Sequence, residues 1–154
     1  MSRPVGPAED STGRAIVTTR VFDAPRERVF EAWTDPRHVA RWWGPDGFTI
    51  TIHEMDVRPG GVWRFVLHGP DGVDHQNKII FVEIVKPERL VYHHISGPLF
   101  RMAVTLEDQD GKTKLTMRMV FETTTEYDVA VKRFGALEGA KQTLERLAEH
   151  LAKD

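Results

Sequence analysis

Tyr92 and His94 are the residues whose types and spacing come closest to chemistry. They stand two apart in the run Leu90–Ile95, so on a strand Leu90, Tyr92 and His94 share one face. An imidazole exchanges protons near pH ~6.5, and a phenol donates a hydrogen bond. Facing a cavity, the pair could grip the polar end of a ligand or serve as acid and base. A buried histidine satisfied by protein partners is the competing reading, because buried polar groups are normally hydrogen-bonded.

Other chemistries find less support. The chain has 7 histidines, but His93 and His94 are adjacent and point to opposite faces of a strand. Glu54 and Asp56 share a face that His53 does not, and no ligand spacing typical of a metal site is present. No metal and no cofactor are expected. Cysteine is absent, which removes disulfides, zinc thiolates and thiol nucleophiles. Ser2, Ser11 and Ser96 lie outside any nucleophile motif. Pro59-Gly60-Gly61 reads as a hairpin turn rather than a phosphate cradle. Asp108 and Asp110 fall in a turn. No catalytic residue is assigned.

The elements that would position Tyr92 and His94 follow from periodicity. Arg14–Phe22 alternates as a strand. Asp23-Ala24-Pro25 stops it, with Asp23 a candidate cap and Pro25 suited to a first helical turn. Val29, Phe30 and Trp33 define one short helix. Thr34-Asp35-Pro36 breaks it and opens a second through Val39 and Trp42. Six strand-like runs follow, Phe48–Val57, Val62–His68, Gln76–Val85, Leu90–Ile95, Phe100–Glu107 and Lys112–Glu122, separated by Gly, Pro and Asp turn signals. Short links without intervening helices predict an antiparallel meander. Glu126–Lys153 reads as one long helix with Ala130, Phe134, Leu137, Leu144, Leu147, Ala148 and Leu151 near the 3.6 period. Gly135 and Gly139 inside it cost roughly 1 kcal/mol each relative to Ala. They imply a close approach, either by a ligand or by the sheet.

The whole reads as an α+β protein: a curved seven-stranded antiparallel sheet gripping a C-terminal helix, with two short helices after the first strand. One helix cannot fill a bent sheet, so an apolar hollow is expected between them. Its expected lining combines the aromatic residues Trp43, Trp63, Phe65 and Phe134 with Met102, Met117 and Met119. Leu137 and Ala140 would come from the helix, with Tyr92 and His94 as polar handles. Methionine suits such a pocket because it adapts to irregular space. Of the adjacent Trp42 and Trp43, one ring can plug the core while the other faces the cavity mouth or solvent; both rings packed under the following loop is the competing reading.

At 154 residues the chain fits one domain, expected over residues 14–154. Residues 1–13 read as a flexible arm without a secretory pattern. A net charge of −2 argues against a nucleic-acid surface. No run has the length of a membrane span. A cytoplasmic location suits a chain without cysteine.

Five segments in order carry a family resemblance: Phe22-Asp23-Ala24-Pro25 with Val29-Phe30 and Trp33-Thr34-Asp35-Pro36; Arg41-Trp42-Trp43-Gly44-Pro45; Met55-Asp56-Val57-Arg58-Pro59-Gly60-Gly61; Glu83-Ile84-Val85-Lys86-Pro87-Glu88-Arg89-Leu90; and Glu138-Gly139 with Leu144, Leu147 and Leu151. The chain resembles the START/Bet v 1-like (SRPBCC) superfamily, in its Hsp90-ATPase-activator homologue (AHSA1-like) branch, from Thr18 to Ala152. The resemblance implies a helix-grip fold with a central cavity. Relatives usually carry Trp where this chain has Ala140, which implies a larger cavity here. The eukaryotic co-chaperone also has a separate N-terminal domain, so Hsp90 activation is not carried over by name.

Three functions remain. The favoured one is non-catalytic binding of a small hydrophobic molecule, lipid or polyketide-like. A second is a cyclase- or aromatase-like enzyme using His94 and Tyr92. A third is an interaction protein, either co-chaperone-like or a homodimer, using Trp42 or the outer sheet face.

Overall fold

The computed structural model describes residues 13–153. The expected arm at residues 1–13 lies outside them, apart from Gly13. In chain order the elements are β1 (Ala15–Phe22), α1 (Arg26–Thr34), α2 (Pro36–Trp42), β2 (Thr49–Met55), β3 (Val62–His68) and β4 (Asp74–Val85). Then come β5 (Arg89–His94), β6 (Phe100–Gln109), β7 (Lys112–Phe121), α3 (Thr124–Asp128), a π-helical turn (Val129–Arg133) and α4 (Ala136–Ala152). This is the α+β helix-grip architecture that alternation and turn spacing predict.

The seven strands lie in the order β1-β7-β6-β5-β4-β3-β2, with every pairing antiparallel. β2 to β7 form the predicted meander, and β1 joins beside β7. Registers shift between Ile52 and Glu54 on β2 and between Phe81 and Glu83 on β4. Such bulges bend a strand and increase its twist. The β6–β7 turn places Asp110 at φ 55° and Gly111 at φ 87°. Two positive φ values give the primed turn that matches strand twist, which explains the Asp-Gly pair.

The inner face carries the core. Trp63, Phe65, Ile79, Phe81, Leu90, Tyr92, Met102, Val104, Leu115 and Met117 are buried there. α4 covers them with Ala140, Leu144, Leu147 and Leu151, spaced by four, three and four residues.

The final helix is not continuous as predicted. It breaks at Gly135, whose φ of 61° is left-handed and precedes the first turn of α4. The apolar period hides this break because both halves bury a face. Ala130 packs with Ile16 and Phe121 in a small cluster of its own, whereas α4 packs on the main core. Asp23 does not cap α1 either: Pro25 holds the cap position without a side-chain bond. Asp35 caps α2 instead, accepting from the Arg37 backbone N–H at 2.9 Å.

Candidate functional site

Strand register assembles one wall of a cavity. Tyr92 on β5 pairs with Met102 on β6, and Met102 pairs with Met119 on β7. One step along, His94 pairs with Phe100, and their rings stack with centroids 4.7 Å apart. Cross-strand neighbours on one face touch in this way because side chains alternate with period two. The α2–β2 loop (Trp43, Gly44, Pro45, Phe48) and α4 (Gly139, Ala140, Thr143) supply the opposite wall. The space has a volume of about 380 Å³ and opens to solvent along one side. Phe134 and His75, with ring centroids 6.1 Å apart and edge to face, stand at one end with Phe48.

Trp43, Phe65, Tyr92, His94, Met102, Met117, Met119, Phe134 and Ala140 all line this space. Trp63 and Leu137 do not. Trp63 is fully buried behind Trp43 and Phe65, with ring centroids 4.8 and 4.7 Å away. Leu137 follows the helix break and is 47% exposed. Phe134, expected inside, is 48% exposed and forms part of the rim. Both departures come from the left-handed Gly135, which rotates α4 relative to the period read across it.

Of the adjacent tryptophans, Trp42 is the core plug. It is fully buried and its Nε1–H donates to the Ala32 carbonyl at 2.9 Å. It offers no interaction surface, contrary to that expectation. Trp43 turns to the cavity. All four tryptophans form one edge-to-face cluster, with Trp33 5.0 Å from Trp42 and 5.1 Å from Trp43.

The loop carrying Trp43 is held by a residue that sequence reasoning passed over. Arg146 of α4 brings Nη1 to within 2.9 Å of the Gly44 carbonyl, 3.0 Å of Pro45, 3.1 Å of Phe48 and 3.3 Å of Trp43. A charged donor facing four carbonyls of one turn fixes that turn. Its only sequence signal is a charge close to the apolar stripe of α4. Gly139 completes the contact, since a Cβ there would meet Pro45 Cγ at 3.4 Å. That is ordinary van der Waals distance, so Gly139 faces the loop and the cavity rather than the sheet, and the loop by itself does not demand a glycine there.

The polar groups of the cavity differ in what they can offer. His94 Nδ1 lies 2.8 Å from the Pro98 carbonyl and Nε2 lies 2.6 Å from Asn77 Oδ1. Asn77 Nδ2 in turn donates to the His75 carbonyl at 2.9 Å. Burial lowers the His94 pKa, opposed in part by the Pro98 carbonyl. A neutral ring has one N–H, which it gives to one of these two oxygens, while its other nitrogen faces the second; the Ser96 hydroxyl lies 3.5 Å from Nε2. Tyr92 is only 1% exposed, and burial drives its pKa upward. It therefore stays a neutral phenol. Its hydroxyl bonds to no described residue. Nor is it among the sealed, unpartnered polar atoms, which are Trp33 Nε1 and Trp63 Nε1. The hydroxyl opens on the cavity.

Residues 23–152 match the family model described as Activator of Hsp90 ATPase homolog 1-like protein. The chain belongs to this family. No curated protein matches it. Among solved structures, this AHSA1-like chain is similar to a protein from Arthrobacter aurescens at 25% identity and TM-score 0.85, covering 94% of this chain and 90% of that one. A protein from Chromobacterium violaceum is 27% identical with TM-score 0.78, covering 88% and 95%. An AHSA1-like protein from Aeromonas hydrophila is 20% identical with TM-score 0.73, covering 90% and 92%, and shares the fold. The AHSA1-like fold is compatible with a ligand-binding or a co-chaperone-like role.

Among the described residues no group of three or more His, Asp or Glu is placed to hold a metal ion. No described helix is long and apolar enough to cross a membrane.

Proposed function

We propose that this AHSA1-like domain binds a small hydrophobic molecule in the cavity between α4 and the sheet, without transforming it. The observation that carries this reading is the half-open space of about 380 Å³ walled by Trp43, Phe65, Phe100 and three methionines. Small-molecule pockets span ~300–1,000 Å³ and are mostly apolar with few polar groups. Binding would draw on apolar area removed from water, at about 25 cal/mol per Å². Ala140, where relatives usually carry Trp, leaves room in the α4 wall.

Binding rather than turnover is favoured by the state of the two candidate acid–base groups. His94 has both ring nitrogens turned to wall oxygens, Pro98 O and Asn77 Oδ1, and away from the open space, and Tyr92 is held far from ionisation at neutral pH. A proton shuttle needs a group poised near the working pH and facing the reactant.

Native mass spectrometry of freshly purified protein tests the reading, with Ala140→Trp as the control. The expected result is a retained small molecule on the wild type and its loss from the variant, which should stay folded. An unliganded wild type that also fails to bind any apolar probe would overturn the reading.

A further inference from the structure

The cavity walls are unusual in what they omit. Among the described residues, the space between α4 and the sheet is lined by no Asp, Glu, Lys or Arg. Behind the wall Arg146 aims its Nη1 at the loop carbonyls of Trp43, Gly44, Pro45 and Phe48, and at the rim the Arg133 guanidinium lies 5.5 Å from the Phe134 ring. A carboxylate, phosphate or ammonium brought past the rim would meet no fixed opposite charge from the described lining residues. Burying an unpaired charge is strongly unfavourable.

The inner polar groups are nearly all occupied. The Thr143 hydroxyl donates to the Gly139 carbonyl at 2.8 Å. Asn77 spans His94 and the His75 carbonyl. His94 faces Pro98 and Asn77. Gln76 and His75 sit toward solvent at the rim, exposed and half-buried respectively. The Tyr92 hydroxyl is a deep donor of this lining that is buried, unpaired with any described residue and open to the cavity. A phenol in such a place is satisfied by a ligand oxygen or left wanting.

Resting on the binding reading above, we propose that the ligand is an uncharged molecule with a flat apolar body and one hydroxyl or carbonyl oxygen, which accepts the Tyr92 O–H. The aromatic walls at Trp43, Phe65 and Phe100 suit a ring system, since rings pack edge to face or offset against them. The lack of counter-charge supplies selectivity by exclusion, and Tyr92 supplies it by recognition.

Three probes of one shape separate these terms: 2-naphthol, 2-methylnaphthalene and 2-naphthoate, titrated at pH 7 by probe fluorescence. Wild-type protein should bind 2-naphthol at least tenfold more tightly than 2-naphthoate. Tyr92→Phe should shift the ratio of 2-naphthol to 2-methylnaphthalene affinity about tenfold toward the methyl compound, the size of one lost hydrogen bond. Equal binding of 2-naphthoate, or an unchanged ratio in Tyr92→Phe, would overturn the proposed class while leaving the binding reading intact. Failure of all three probes in a protein that also carries no retained compound would overturn both.

Discussion

Arg146 Nη1 on α4 lies 2.9 Å from the carbonyl oxygen of Gly44, in the loop that carries Trp43 into the cavity. The helix that roofs the cavity is thereby tied to the loop that walls it. Gly44 is at φ 104°, a conformation reserved for glycine, so its carbonyl is presented by a turn that other residues would strain.

Arg146→Met keeps the aliphatic stem and removes the donors. Hydrogen bonds from a charged group contribute about 1.5–3 kcal/mol, so a loss of about 2 kcal/mol is expected in urea denaturation. Release of Trp43 should also shift its fluorescence to longer wavelength. A variant with wild-type stability and emission would remove Arg146 from this role.

Gly61 is the tightest glycine among the described residues. A Cβ there would stand 1.9 Å from the Asp56 carbonyl oxygen. The same turn supplies the Phe81 N–H bond to the Gly61 carbonyl at 2.9 Å, joining the β2–β3 hairpin to β4. Gly61→Ala must therefore move backbone, not a side chain. It should cost about 3 kcal/mol, at the upper end for overpacking, measurable as a fall in Tm. Gly60→Ala at φ 83° meets nothing within 4 Å. It should be milder, limited to backbone strain of about 1–2 kcal/mol.

His94 makes stability depend on pH. Its folded pKa lies below the ordinary 6.5 because burial disfavours the imidazolium. The unfolded chain then binds the proton more readily. Its stabilising contribution is complete above pH 6.5 and declines as pH falls toward the depressed folded value. Asn77→Asp would place a carboxylate beside Nε2 and raise the folded pKa above the unfolded one. That variant should instead gain from this pair below about pH 6.5 and lose it as pH rises through the folded pKa. Denaturation midpoints from pH 5 to 8 would read the reversal. Parallel profiles for the two proteins would exclude it.

Asp35 is held at a pKa of about 2, chiefly by hydrogen bonds from the Arg37 side chain and backbone. Its contribution is present above its ordinary 3.8 and is lost as pH falls through about 2. Asp35→Ala removes the cap of α2 and should cost about 1 kcal/mol. Because α2 ends at Trp42 and Trp43, the loss should be accompanied by weaker burial of those rings.

Much of the architecture was legible in the residues. Alternation in β3, β6 and β7 showed which side chains face inward, because period two admits only two faces. The run Asp108–Gly111 marked its hairpin, but Asp110-Gly111 alone makes the turn, because two positive φ values are costly for most residues, and Asp108 and Gln109 extend β6 by pairing with Thr113 and Lys112. The chance that only one of Trp42 and Trp43 plugs the core followed from their 100° divergence on a helix.

What the sequence by itself determined was therefore local: periodicity, turn chemistry, the order of elements and the family. The tertiary structure alone decided how His94 is satisfied, that the final helix breaks at Gly135, and that Arg146 holds the Trp43 loop. Each of these joins residues distant in the chain or depends on a backbone angle that an apolar period does not encode. Asn77 meets His94 across strand register, and Arg146 meets Gly44 across 102 positions. Such contacts exist only once bulges and turns have fixed how far the sheet bends around its helix.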